Sequence, residues 1–131
     1  MKLLLDTHIL LWAVADPSRL SQRATDMLLD PSNMCISSAA CVWEIAIKHA
    51  RNAGRPDDMP ISGNTAILLA ESAGFDVLHI TPEHAAFVGD LPHFHRDPFD
   101  RLLIAQAKLE DHVLLTHDKT LAAYGDFVMV V

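Results

Sequence analysis

A chain of 131 residues, half of them hydrophobic and 21% charged, suits one domain with a real core and hardly two. Its formal charge of −7, from 10 Lys+Arg against 17 Asp+Glu, excludes a uniformly basic phosphate-binding surface. No apolar run approaches the ~20 residues of a membrane span. Met1-Lys2-Leu3-Leu4-Leu5 is cut off by Asp6 and makes no signal peptide. Cys35 and Cys41 form neither a disulfide framework nor a C-x-x-C pair. They are expected to be buried free thiols in a soluble, cytoplasmic protein.

In chain order, short apolar runs alternate with helical patterns. Lys2–Leu5 reads as a buried strand and Thr7–Ala15 as a helix. Ser21 is an N-cap candidate for a second helix to Leu29, broken by Pro31-Ser32-Asn33. Met34–Ser37 predicts a second strand, and Ala39–Asn52 a long amphipathic helix ended by Gly54 and Pro56. A further helix is expected over Ile61–Ala73, closed by Gly74, and a third strand over Val77–Ile80. Thr81-Pro82-Glu83 opens a short helix, with Thr81 as cap and Pro82 at its first position. Asp97-Pro98-Phe99-Asp100 opens another, running to about Leu109. Val113–Thr116 and Phe127–Val131 complete a set of five strands, with Gly125 marking a turn. Apolar rather than alternating strands are expected to be buried on both faces. Strand–helix alternation predicts one α/β domain over 1–131: a three-layer α/β/α sandwich with a mainly parallel, roughly five-stranded sheet.

Ligands of such sheets bind outside the carboxyl ends of the strands. Strand one ends in Asp6, and strand four in Thr116-His117-Asp118. The second strand leads into the helix of Glu44, and Asp97 and Asp100 open the helix before strand four. Each acid has an ordinary structural use. Asp6, Asp97 and Asp118 can cap helices, and Asp100 suits a first helical turn. Glu44 can pair with Lys48 four residues on. Together, however, converging anions repel one another unless a cation intervenes. Carboxylate oxygens suit Mg²⁺ or Mn²⁺, which can polarise a phosphodiester and activate water.

The residues resemble those of the PIN-domain ribonucleases, and more closely the VapC-type toxins of toxin–antitoxin pairs. The resemblance spans the whole chain through Leu5-Asp6-Thr7-His8, Val42-Trp43-Glu44-Ile45, the run from Asp97 to Ala107, and Leu115-Thr116-His117-Asp118. It implies Asp6, Glu44, Asp100 and Asp118 as the catalytic metal ligands. Asp100 is preferred to Asp97 because it directly precedes the Leu-Ile-Ala-rich stretch of its helix. Asp97 becomes a cap or a group supporting the metal site, and Thr116 matches a supporting hydroxyl. Thr7 is expected to cap a helix rather than to touch the metal's surroundings. The resemblance further implies a PIN-like fold, Mg²⁺- or Mn²⁺-dependent cleavage of RNA such as transfer RNA, inhibition by a cognate VapB-type antitoxin, and a homodimer.

Lys48, Arg96, Arg101 and Lys119 flank these acids and are expected to position phosphates. His93 and His95 do not make a recognised zinc set and are expected in a loop, with RNA contact as an alternative. Trp12 and Trp43 are expected to pack in the core or between subunits. Two other readings remain. One is a phosphotransfer domain with Asp6 as nucleophile, which lacks the usual second acid at the position of His8. The other is a non-catalytic α/β binding module. A dinucleotide-binding module lacks its glycine-rich loop after strand one. Residues 56–95 hold six acids (Asp57, Asp58, Glu71, Asp76, Glu83, Asp90) and no lysine or arginine. Most of the net charge therefore belongs to one segment, away from the four motifs, and few phosphate contacts with a shallow salt dependence are expected.

Overall fold

The computed structural model describes residues 1–51 and 59–131. Five strands form one sheet in the order β3-β2-β1-β4-β5, every neighbouring pair parallel. They are β1 (Lys2–Leu5), β2 (Met34–Ser38), β3 (Asp76–Leu78), β4 (Val113–Thr116) and β5 (Val128–Val130). The helices are α1 (Thr7–Ala15), α2 (Gln22–Leu29), α3 (Ala39–Arg51), α4 (Gly63–Ser72), α5 (Pro82–Phe87) and α6 (Pro98–Leu109). Single 3₁₀ stretches follow α1, α5 and β4.

Local chemistry sets most boundaries. The side chains of Asp6, Ser21, Ser62, Thr81 and Asp97 each accept a backbone N–H in the first turn of the helix they precede. Ser62 takes the cap position of α4, so Ile61, expected inside this helix, lies before it and Gly63 begins it. Gly74, at φ +78°, supplies the left-handed turn just beyond α4. The predicted terminators of α3, Asn52, Gly54 and Pro56, lie outside the described residues.

Leu3, Leu4 and Leu5 are fully buried, with Ile9, Leu10, Leu103, Ile104, Leu114, Leu115 and Leu121 around them. Each such side chain contributes roughly 1.5–3 kcal/mol by leaving water. Both cysteines are free and buried, as expected. The third strand departs from expectation. It starts at Asp76, which pairs with Ile36, and ends at Leu78, leaving out His79 and Ile80. It is a sheet edge, and Val77 is 56% exposed, so this strand is not buried on both faces. Of the two places expected for Trp43, the core is excluded: it is 51% exposed, and its ring meets Phe99 edge-on at 4.8 Å between centroids.

The sheet order reverses direction between β1 and β4. The chain leaves β1 towards β2 on one side and returns to β4 on the other. In open parallel sheets this is where the connections diverge and leave a crevice.

Candidate active site

Asp6 leaves β1 at this crevice, and Thr116 ends β4 beside it. Asp6 is only 4% exposed. One of its carboxylate oxygens accepts the Ile9 N–H at 2.8 Å, and the other accepts a short hydrogen bond from the Thr116 hydroxyl. The Thr116 oxygen in turn accepts the Asp118 N–H at 3.0 Å. One buried hydroxyl thus fixes two of the acids. Thr116→Val leaves the Asp118 N–H and one Asp6 oxygen without their partner and is expected to cost roughly 1–3 kcal/mol of stability. A denaturant melt checks this.

Glu44, 3% exposed, comes from the second turn of α3. Its Oε1 accepts from the Thr7 hydroxyl at 2.5 Å, and its Oε2 from Lys48 Nζ at 2.5 Å. Thr7 is therefore no helix cap. Asp6 holds the cap position, and Thr7 is the first helical residue, buried and aimed at Glu44. The expected Glu44–Lys48 pair exists, so Lys48 is engaged with an acid of the site.

Asp100 and Asp118 approach each other from the start of α6 and the end of β4, with His95 between them. One atom from each of these three residues lies within 4.8 Å of the others. His95 Nε2 stands 3.3 Å from Asp118 Oδ2 and 3.7 Å from Asp100 Oδ2. Its other nitrogen, Nδ1, accepts the Asp97 N–H at 3.1 Å. An accepting Nδ1 leaves the proton on Nε2 in the neutral ring, so Nε2 faces Asp118 as a donor, while Asp100 lies beyond hydrogen-bond distance. Asp97 itself caps α6 through Phe99 N at 2.8 Å and Asp100 N at 3.2 Å. His95 lies in a loop, as expected, and in addition stands beside Asp100 and Asp118. Its H-x-H spacing carries no metal signature; only its position three residues before the α6 N-terminus hints at the role.

The electrostatics follow from this crowding. Burial pushes the Asp100 carboxyl up to about 7, helped by the charges of Asp97, Asp6, Glu44 and Asp118. Burial also raises Asp6, opposed by its bond from Thr116. Burial acts against Asp118 too, but hydrogen bonds from Thr120 and the nearby His95 outweigh it and hold that carboxyl below its ordinary value. The thiol of Cys41, behind the site, is pushed up to about 12 by burial, which excludes it as a thiolate nucleophile. Hard carboxylate oxygens at high negative density are the donor set of Mg²⁺ and Mn²⁺, so the residues fit a divalent cation. Asp100 and Asp118 belong to the tight triplet, whereas Asp6 and Glu44 stand outside it while their charges still act on Asp100.

The flanking bases divide. Arg96 and Lys119 are exposed. Arg101 is not available to phosphates. It is 8% exposed, and its guanidinium donates to the carbonyls of Val88, Leu91 and Pro92 and to the Tyr124 hydroxyl. It holds the segment before α6 in place. Arg101→Ala is expected to cost roughly 3 kcal/mol by orphaning these carbonyls, as a denaturant melt would read.

Several solved structures share this architecture. A chain of VapBC2 from Rickettsia felis, solved bound to a DNA fragment from their promoter, matches with a TM-score of 0.70 at 14% identity, over 100% of this chain and 98% of that one. A domain of a functionally unknown protein from Methanocaldococcus jannaschii matches with a TM-score of 0.57 at 20% identity, over 99% of this chain and 90% of that one. No curated protein sequence matches. The PIN domain family model matches residues 3–126, nearly the whole chain with all four acids inside it. The chain belongs to the PIN domain family.

Proposed function

We propose that this PIN domain is a VapC-type toxin, an endoribonuclease that needs Mg²⁺ or Mn²⁺ and is held inactive by a cognate VapB-type antitoxin. The carrying observation is the cluster of Asp100, Asp118 and His95 at the crevice beside β1 and β4, with Asp6 and Glu44 near enough for their charges to act on Asp100, whose carboxyl is pushed up to about 7 by burial and these acids. PIN domains are typically nucleases, and the Rickettsia felis neighbour belongs to a VapBC pair. The reading extends to a transfer-RNA-like substrate, a homodimer and a cytoplasmic site of action.

Asp100 and Asp118 would hold the cation, with Asp6 and Glu44 completing the negative site. When bound, the cation polarises the scissile phosphodiester and makes water a better nucleophile. The protein's own part is pre-organisation. Thr116 fixes Asp6 and Asp118, Thr7 and Lys48 fix Glu44, and Thr120 fixes the other side of Asp118. His95 keeps a proton on Nε2 facing Asp118. Arg96 and Lys119 lie exposed on segments next to the site, where they can take substrate phosphates. The test is sequencing of RNA ends after brief expression, with Asp6→Asn as control. New ends at defined sites with the wild-type chain alone are expected; identical ends with both chains would overturn the reading.

A further inference from the structure

Beside the carboxylates lies a cluster that the mechanism leaves unused. His8, in the first turn of α1, and His117, between β4 and Asp118, are both exposed. Their rings meet edge-on at 5.5 Å between centroids. Trp12, one helical turn beyond His8, braces both, at 5.6 Å from His8 and 4.7 Å from His117. The Arg19 guanidinium lies over the indole, 5.1 Å from its centroid. Among the described residues, Arg19 has no carboxylate within salt-bridge distance, and neither imidazole makes a hydrogen bond. Covalent neighbours tie the cluster to the site: His117 adjoins Asp118, and His8 follows Asp6 by two residues. Both imidazoles are close enough to act electrostatically on Asp6.

We propose that His8, His117, Trp12 and Arg19 form a nucleotide-binding rim. It takes the unpaired nucleotide next to the scissile phosphate, with the base against the imidazoles and the following phosphate on Arg19. The proposal rests on the ribonuclease reading of the adjacent carboxylates. Exposed rings offer π-faces that stack with any base, but only where the base is free of a duplex. The indole restrains the Arg19 side chain and leaves its guanidinium edge for a phosphate. The rim brings a positive charge to one side of a crevice whose own residues repel a polyanion. Trp12 also packs against the core, so it serves as the brace rather than the contact surface.

The test uses the full chain and a short fluorescein-labelled single-stranded RNA, free or annealed to its complement. Binding is measured in EDTA by anisotropy, and cleavage with Mn²⁺. His8→Ala with His117→Ala is expected to weaken single-strand binding roughly tenfold or more. KM should rise by a similar factor with kcat little changed, and the duplex should bind weakly to every variant. Arg19→Ala is expected to weaken binding and to lower the salt slope by about 1. These residues are exposed, so melting temperatures should stay near wild type; Trp12→Phe keeps the brace and should retain binding. Unchanged affinity, KM and salt slope in the exposed-residue variants, with cleavage intact, would overturn the rim and leave the ribonuclease reading standing. Wild-type binding that these variants lose, without any cleavage, would support the rim and overturn the ribonuclease reading. Variants that lose only an antitoxin peptide, at unchanged RNA affinity, would assign the surface to a protein and overturn the rim.

Discussion

Asp6→Asn and Asp100→Asn are each expected to cut Mn²⁺-dependent RNA cleavage by roughly a thousandfold or more. Residues that merely support a metal ligand cost about 10–100-fold, and these two stand closer to the chemistry. Asn at position 6 keeps one oxygen, enough to accept the Ile9 N–H and preserve the cap of α1, while an amide NH2 replaces the oxygen facing the Thr116 hydroxyl and the charge is lost. Asn at position 100 lies in the first turn of α6, whose cap is Asp97 and not Asp100. Both variants should therefore fold, and the loss should sit in the rate. Single-turnover cleavage of a labelled RNA, with melting temperature alongside, checks this. Cleavage within tenfold of wild type in both variants would remove these acids from the site.

The second large effect runs the opposite way. Asp100→Asn is expected to stabilise the metal-free protein near pH 8. Burial and four neighbouring acids raise the folded-state pKa of Asp100 from 3.8 to about 7. Between those values the folded protein binds more protons here than the unfolded chain does, so this group's contribution to stability declines as pH rises from about 4 to about 7 and is flat above. At about 1.4 kcal/mol per pKa unit, the loss is a few kcal/mol. Asn carries no such charge, so the wild-type and variant stabilities should converge near pH 4 and diverge towards pH 8. Asp118 acts in another window. Its pKa lies below 3.8 in the fold, so its contribution is present above that value and lost as pH falls further. Urea melts in EDTA from pH 4 to 8 read the Asp100 window alone, because that of Asp118 lies below it. A variant less stable than wild type at pH 8 would mean that Asp100 is not under electrostatic strain.

What the sequence makes legible is what local chemistry decides. Asp97-Pro98 sets the start of α6 because Asp accepts the first free N–H groups and Pro has none to lose. Lys2–Leu5 and Val113–Thr116 are unambiguous because their neighbours bury them on both sides. Boundaries slip where pairing decides instead. The edge strand β3 follows its register with Ile36–Ser38 rather than its own apolar run, so Asp76 enters and Ile80 does not. Asp6, Asp100 and Asp118 are legible in the sequence because each follows a strand or lies in the first turn of a helix, whereas Glu44 lies in the second turn of α3. Their supports are less so. Thr7 sits one residue past the cap, and its target lies 37 positions away. Arg101 looks like a phosphate ligand beside Asp100, but three carbonyls of the segment 88–92 take its donors. His95 gains its meaning only when α6 and β4 bring Asp100 and Asp118 to it. The ordinary and functional uses of these acids also coincide. Asp6 caps α1, Asp118 accepts from Thr120, and Glu44 pairs with Lys48, while the charges of all three act on Asp100.

That crevice as a divalent-cation site is tested most directly by titrating Mn²⁺ into chelator-stripped wild-type and Asp100→Asn protein at pH 8 and reading the melting temperature. Wild type should rise saturably, by an amount equivalent to about 2.7 kcal/mol at a hundred times the dissociation constant. The variant should start higher and gain little. A wild-type protein indifferent to Mn²⁺ and Mg²⁺ at millimolar concentration, or a variant with the same gain, would contradict a metal site built on these carboxylates.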